Sequence, residues 1–125
     1  MTSVPGSPIV LIVEDEGLVR QMSAYELADA GYQVLEAANS REAMSILESG
    51  VGVSLLFTDV NMPGELNGLE LARVVHDRWP RVRLLVTSGG ARTGPEDVPD
   101  EGRFIPKPYS LSRMCSLVAE LVRAA

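Results

Sequence analysis

Apolar and polar positions along the chain form two alternating kinds of segment. Apolar runs of strand length occur at 9–13, 53–57 and 82–86, and the first reads Ile-Val-Leu-Ile-Val. Between these runs the apolar residues recur every three or four positions, which is the period of an amphipathic helix. The alternation predicts βαβ units, in which right-handed crossovers build a parallel sheet that helices cover on both faces.

Boundary signals place the second strand and the ends of two helices. Residues 33–36 alternate between polar and apolar like an edge strand. Asn39, with Glu42 three positions later, resembles a capping box at the start of the second helix. The third helix is predicted to end before 79–80, Trp-Pro, because the residue preceding proline is disfavoured in the α region.

The last third of the chain is predicted to hold a brief strand at 104–105 and a final helix that Ser110 caps. The segment 89–102 between the fourth and fifth strands contains four glycines and two prolines. Pro95 fits only a first turn and Pro99 would end a helix four residues later, so this segment should form at most about one or two turns. Three methionines are predicted to fill the core: Met22, Met44 and Met114.

Composition limits the classes of protein that remain. The 125 residues, 46% of them hydrophobic, suffice for one domain, which we expect at 8–125 after a flexible tail at 1–7. A net charge of −6 and the lack of a basic run argue against nucleic-acid binding. Cys115 is the single cysteine, so no intrachain disulfide forms. No signal peptide or membrane span is predicted, and we expect a cytoplasmic protein.

Chemically active side chains follow the predicted strands. Glu14 and Asp15 follow the first, Asp59 the third, Thr87 the fourth and Lys107 the fifth. Parallel α/β sheets bind ligands beyond the carboxyl ends of their strands, so these side chains should converge there. Three neighbouring carboxylates repel one another unless a cation neutralises them, and an all-oxygen set suits Mg²⁺. Singly, the acids could instead cap a helix or form a turn, and the lysine could be a solvated surface charge.

These segments, in this order, resemble the receiver domains of two-component response regulators (the CheY-like superfamily) over nearly the whole chain. The matching segments are Glu14-Asp15, Thr-Asp-Val-Asn-Met-Pro at 58–63, Asn-Gly-Leu at 67–69, Thr-Ser at 87–88 and Phe-Ile-Pro-Lys-Pro at 104–108. The resemblance implies a flavodoxin-like fold with strand order 2-1-3-4-5 and a phosphoacceptor at Asp59. It also implies a cis peptide bond between Lys107 and Pro108.

The same resemblance implies a Mg²⁺ (or Mn²⁺) site. Asp15, Asp59 and the backbone carbonyl of Asn61 would bind the ion directly, and Glu14 would act through water or from behind the direct ligands. Lys107 would pair with one phosphoryl oxygen.

The remaining implied roles concern the conformational switch. Thr87 would hydrogen-bond a phosphoryl oxygen, and Phe104 would be the aromatic residue that swings inward when the threonine moves. Phe104 has an alternative reading as an ordinary apolar residue of an edge strand.

The resemblance therefore implies a domain that takes a phosphoryl group from a histidine kinase or phosphotransfer protein. It would catalyse only its own phosphorylation and dephosphorylation, and would control an unknown protein partner. The alternatives are a pseudo-receiver that only binds proteins, a receiver cut from a hybrid histidine kinase, and a Mg²⁺-dependent phosphohydrolase. The phosphohydrolase is disfavoured because Asn61 stands where the haloacid-dehalogenase family has a second aspartate. A nucleotide-binding domain lacks its glycine fingerprint here.

Two segments depart from the family pattern. The loop after Asp59 carries one extra residue, within Gly-Glu-Leu at 64–66. The segment 89–102 has only Ala91 and Val98 to anchor a helix to the sheet, where receivers have a regular fourth helix. We therefore expect residues 92–100 to be mobile without phosphate and to become ordered on activation.

Overall fold

The computed structural model describes residues 6–90, 92–99 and 101–124. Of the predicted tail, only Gly6 and Ser7 belong to the described residues. The elements in chain order are β1 (Ile9–Val13), α1 (Gly17–Asp29), β2 (Gln33–Ala37), α2 (Ser40–Glu48), β3 (Leu55–Asp59), α3 (Gly68–Arg78), β4 (Arg83–Ser88), a 3₁₀ turn (Pro95–Asp97), β5 (Arg103–Pro106) and α4 (Leu111–Arg123).

The five strands form one parallel sheet in the order β2-β1-β3-β4-β5. This order and the flavodoxin-like fold confirm the prediction. Because all strands run the same way, their carboxyl ends share one edge of the sheet. Every residue that follows or ends a strand is thus brought to that edge.

Alternate side chains of each strand enter two separate cores, one on either face of the sheet. Leu11 and Val13 of β1 belong to the core under α2 and α3, whereas Val10 and Ile12 belong to the core under α1 and α4. All four side chains are buried. Burial on both faces explains the continuous apolar character of the strands, and each such side chain contributes roughly 2 kcal/mol.

The predicted helix caps are present. Asn39 Oδ1 accepts the N–H of Glu42 at 2.9 Å, but the Glu42 carboxylate accepts the N–H of Ala38 at 2.8 Å, one residue before the cap. Ser110 Oγ accepts the N–H of Arg113 at 3.0 Å. These bonds satisfy backbone donors that the helices themselves leave unpaired.

Two strands lie later in the chain than the sequence predicts. Strand β3 ends at Asp59 rather than at residue 57, and β4 ends at Ser88 rather than at residue 86. The sheet ladder continues because Asp59 pairs with Thr87, and the N–H of Val60 then donates to the Thr87 carbonyl at 2.9 Å. Asp59 and Thr87 are therefore neighbours within the sheet and not loop residues.

The buried face of α1 also differs from the prediction. Met22 is 51% exposed, and the residues of α1 that are buried are Ser23, Ala24 and Leu27. The three buried residues lie on one face of the helix, and Met22 falls outside that face. Met114 is fully buried and Met44 is partly buried, as predicted.

Residues 89–102 are hereafter the β4–β5 loop, and their described part, 89–90, 92–99 and 101–102, contains a single 3₁₀ turn with Pro95 at its first position. The prediction of at most about two turns is confirmed. Val98 packs partly buried against the core under α3, while the other proposed anchor, Ala91, and also Asp100 lie outside the described residues. Across the part of the chain that the structure describes, no helix is long and apolar enough to cross a membrane.

Candidate functional site

Three carboxylates meet at the carboxyl edge of the sheet. Oxygens of Glu14, Asp15 and Asp59 lie within 4.8 Å of one another; we call these three residues the acidic rim. Glu14 and Asp59 are each 4% exposed, whereas Asp15 is exposed. Asp15 has no hydrogen bond or ion pair with any residue that the structure describes. One carboxylate is thus open to solvent and two are held inside.

Lys107 joins the two buried carboxylates. Its Nζ donates to Glu14 Oε1 at 2.9 Å and to Asp59 Oδ2 at 3.1 Å. Burial alone would lower the pKa of the ammonium, but the bonds to Glu14 and Asp59 outweigh it and raise the pKa above its ordinary value. Lys107 therefore remains charged and offsets part of the negative charge of the acidic rim. The Lys107–Pro108 peptide is cis, as predicted.

Glu14 is fixed on several sides. Its Oε2 accepts the N–H of Glu16 at 3.2 Å, so Glu14 also gives a partner to the backbone donor of the residue that precedes α1. Its backbone carbonyl accepts from Arg20 Nη1 at 2.8 Å. Burial raises the pKa of the Glu14 carboxyl, and the hydrogen bonds from Lys107 and Glu16 partly oppose this effect. Glu14 is therefore held in a fixed position at the side of the site.

The backbone around Asp59 explains why a glycine, Gly68, stands in the Asn-Gly-Leu segment at 67–69. A Cβ added to Gly68 would lie 1.8 Å from the Asp59 carbonyl oxygen, so no other residue fits without a backbone shift. The N–H of Gly68 also donates to the Val60 carbonyl at 3.0 Å. The N–H of Asn61 donates to Asp59 Oδ1 at 3.3 Å. The start of α3 therefore packs directly on the strand end that presents Asp59.

Thr87 lies beside Asp59 with an unpaired hydroxyl. The residue is buried, and its Oγ1 has no hydrogen-bond partner among the described residues. A buried polar group without a partner is uncommon in folded proteins, and each instance needs an explanation. A ligand oxygen above Asp59 would supply the missing partner.

Two residues without a predicted role also belong to the site. Ser88 Oγ accepts from the Asn61 side-chain amide at 3.3 Å and from the Gly90 N–H at 3.0 Å. The Tyr109 hydroxyl lies 3.0 Å from Ser23 Oγ on α1, and its ring packs edge-on against a neighbouring ring in the core. Both lie within two positions of a predicted site residue, which was the available signal, but their partners are distant in sequence.

The structure thus brings together five of the predicted residues: Glu14, Asp15, Asp59, Thr87 and Lys107. The aromatic residue of the predicted switch, Phe104, lies outside this group. Phe104 is partly buried, pairs with Val86 in the sheet and packs on the core under α2 and α3. Its position fits both readings made from the sequence, and its movement stays a prediction.

An apolar groove adjoins the acidic rim. Its volume is about 490 Å³, and its lining includes Val19, Tyr109, Leu111 and, at the end nearest the rim, Lys107. Met22 of α1 also lines the groove and is exposed, as are Leu18 and Tyr25 of the same helix. Exposed apolar surface of this kind commonly marks a site of protein interaction.

The arrangement can hold a cation and a phosphoryl group together. Clustered carboxylate oxygens are the ligands that Mg²⁺ prefers, and the exposed Asp15 carboxylate leaves a direction of approach from solvent. Lys107 and Thr87 offer two donors next to Asp59. The residues present therefore fit a magnesium ion. A carboxylate, a positive charge and a hydrogen-bond donor, the groups that phosphoryl transfer requires, lie in one place.

Comparison with known proteins agrees with this geometry. The family model of the response regulator receiver domain matches residues 10–119. Sensor kinase CckA of Brucella abortus is 36% identical over 125 residues, which cover 97% of this chain and 13% of that protein. The chain thus spans only a small part of this curated relative.

Solved structures give the same result. A response regulator receiver protein from Sinorhizobium medicae has a TM-score of 0.86 at 25% identity and covers 94% of this chain and 96% of that one. The receiver domain of the hybrid histidine kinase CckA has a TM-score of 0.78 at 32% identity, with 91% and 98% covered. The acidic rim, the strand order and these matches together establish that the chain belongs to the response regulator receiver domain family of two-component signalling.

Proposed function

We propose that this domain accepts a phosphoryl group on Asp59. The observation that carries the proposal is the acidic rim at the strand ends, with Lys107 held between Glu14 and Asp59. A carboxylate is a weak nucleophile, and it attacks phosphorus when it is held in line and when charge on the transferring oxygens is offset. Residues 8–125 form the domain in this proposal, and its location is the cytoplasm.

Transfer from a phosphohistidine requires one bond to form and one to break. An Asp59 carboxylate oxygen attacks phosphorus, the bond between phosphorus and the imidazole nitrogen breaks, and the imidazole leaves with the electron pair. The product is an acyl phosphate on Asp59. The Asn61 N–H at Oδ1 and the Lys107 ammonium at Oδ2 hold the carboxylate in place. Lys107 then turns to a phosphoryl oxygen.

Metal binding is the second part of the proposal. Asp15, Asp59 and the Asn61 backbone carbonyl would hold Mg²⁺ or Mn²⁺, and the buried Glu14 would support them from behind. When bound, the ion neutralises charge on the phosphoryl oxygens. The exposure of Asp15 beside the two buried acids supports this division of roles.

The third part is a conformational response. The unpaired hydroxyl of Thr87 would move to bond a phosphoryl oxygen, and Phe104 would move inward with it. A protein partner downstream would read the changed surface. Hydrolysis of the acyl phosphate by water would return the domain to its resting state.

The partner class proposed is a histidine kinase or phosphotransfer protein. The groove supports this, because its lining includes both the exposed Met22 and Lys107, which bonds Asp59, so a donor seated in it would lie next to the acidic rim. Met22→Asp, which places a charge in the groove lining, should slow transfer from a protein donor and leave labelling by acetyl phosphate unchanged. Arg73→Asp, on the exposed side of α3, is the matched control. Equal loss with both donors would contradict docking at this groove.

Labelling by acetyl phosphate with Mg²⁺ tests the phosphoacceptor. The wild type should take up one phosphoryl group and Asp59→Asn none, measured by intact mass. Asp29→Asn, at the end of α1, controls for the loss of a carboxylate elsewhere. Stoichiometric labelling of Asp59→Asn would sink the assignment, and an unlabelled wild type would favour the pseudo-receiver.

A further inference from the structure

Ser88 connects three segments of the site. Its side chain is only 3% exposed, and its hydroxyl oxygen accepts from the Asn61 amide at 3.3 Å and from the Gly90 N–H at 3.0 Å. Its backbone carbonyl accepts the N–H of Lys107 at 3.0 Å. The loop after β3, the start of the β4–β5 loop and the end of β5 are thus tied to one residue.

These bonds lie beside the atoms that phosphorylation would move. Asn61 also contacts Asp59 Oδ1 through its backbone N–H. Thr87 directly precedes Ser88, and its hydroxyl has no partner among the described residues. Movement of Thr87 toward Asp59 would therefore break no hydrogen bond of its own side chain. Among the side-chain hydrogen bonds at this point, those of Ser88 oppose the movement.

We propose that Ser88 is a positioning residue whose hydroxyl holds the site in its resting arrangement. The proposal rests on the proposed function, because the restraint acts when Thr87 approaches a phosphoryl group on Asp59. Ser88 is joined to Thr87 by one peptide bond, so the shift of Thr87 carries Ser88 away from Asn61 and Gly90. Phosphorylation thereby breaks these two resting contacts, and the start of the β4–β5 loop takes up a new position.

The direction of the effect follows from which state contains the bonds. Bonds that are present only in the resting state raise the free energy needed to reach the active state, so their removal favours activation. Beryllofluoride with Mg²⁺, which stands for the phosphoryl group on Asp59, should therefore act at a lower concentration on Ser88→Ala. The expected decrease in midpoint is roughly two- to tenfold, the effect of one or two ordinary hydrogen bonds.

A second variant makes the test independent of how well Ser88→Ala folds. Asn61→Ala removes the other end of the bond and keeps the backbone carbonyl, so it should lower the midpoint in the same direction. The double variant should show less than the sum of the two effects, because both remove the same contact. Ser49→Ala, which loses a side-chain hydrogen bond to the Ile46 carbonyl at the end of α2, should leave the midpoint unchanged.

A readout without metal completes the experiment. In Ser88→Ala lacking Mg²⁺ and beryllofluoride, the amide resonance of Gly90 should move toward its position in the activated wild type. If Ser88→Ala and Asn61→Ala keep the wild-type midpoint, or raise it, Ser88 is merely structural and the proposal is wrong. A wild type that does not respond to beryllofluoride would overturn the phosphoacceptor function and this proposal with it.

Discussion

The acidic rim and the β4–β5 loop lie side by side at the carboxyl edge of the sheet, but different contacts hold them. The rim stands on strand ends whose side chains are buried, and Lys107 bonds two of its three acids. In the loop, a 3₁₀ turn is closed by the Asp97 N–H on the Gly94 carbonyl at 3.1 Å, and Val98 alone among its described apolar residues packs on a core.

This difference separates the chemistry of the domain from its response. Phosphoryl transfer needs donors and acids that are already in place, and packed strand ends provide them. A response needs a segment whose contacts are few enough to change, which the loop provides. At one end of the loop, Ser88 accepts the N–H of Gly90, and at the other end Gly102 lies close to Val98.

The largest expected effect comes from removing the charge at the centre of the rim. Lys107→Met should slow labelling by acetyl phosphate about a hundredfold, because one preorganised donor to the transferring oxygens is lost. The rate of mass increase measures this. Arg103→Met removes an exposed cation from β5, the strand that precedes Lys107, and should have little effect. An unchanged rate in Lys107→Met would mean that its ion pairs are only structural.

A backbone substitution should damage the rim next most strongly. Gly68→Ala places a methyl group 1.8 Å from the Asp59 carbonyl oxygen, so α3 must shift and stability should fall by about 2 kcal/mol. Urea unfolding measures the loss. A Cβ on Gly17, at the start of α1, would meet only the end of the Arg20 side chain at 3.8 Å, so Gly17→Ala should not destabilise the protein. Equal stability of both variants would show that α3 can shift without a cost in stability.

The matching substitution in the loop should cost less. A Cβ on Gly102 would lie 2.5 Å from Val98 Cγ1 and 3.0 Å from the Pro99 carbonyl oxygen, a milder overlap than the one at Gly68, so Gly102→Ala should lose about 1 kcal/mol. Labelling of Asp59 by acetyl phosphate should remain at the wild-type rate. A slower rate would contradict the separation of rim and loop.

The smallest effect expected is a change in hydrogen exchange within the loop. Residues 92–99 should exchange quickly in the resting protein and at least about threefold more slowly with beryllofluoride and Mg²⁺, if activation orders the segment. Thr87→Ala should bind beryllofluoride but lose this slowing. Strong protection in the resting protein, or no slowing in the wild type, would rule out order on activation.

The order of strands and the convergence of acids could be predicted from the sequence. Apolar runs, helical periods and crossover handedness allow few topologies, and parallel strands necessarily bring Asp15, Asp59 and Lys107 to one edge. The weak helix in the β4–β5 loop was also predictable, because Pro95 and Pro99 restrict the backbone locally. Each of these inferences depends on residues close together in the chain or on a general rule of connection.

Tertiary structure alone decided the contacts between distant segments. Pairing of β3 with β4 extends both strands to include Asp59 and Thr87, and the face of α1 that is buried on the sheet does not include Met22. The bond between Asn61 and Ser88 spans 27 positions and has no local signature. A side chain's partners across a sheet depend on the register and spacing of packed elements, and these are set by the whole core rather than by neighbours in sequence.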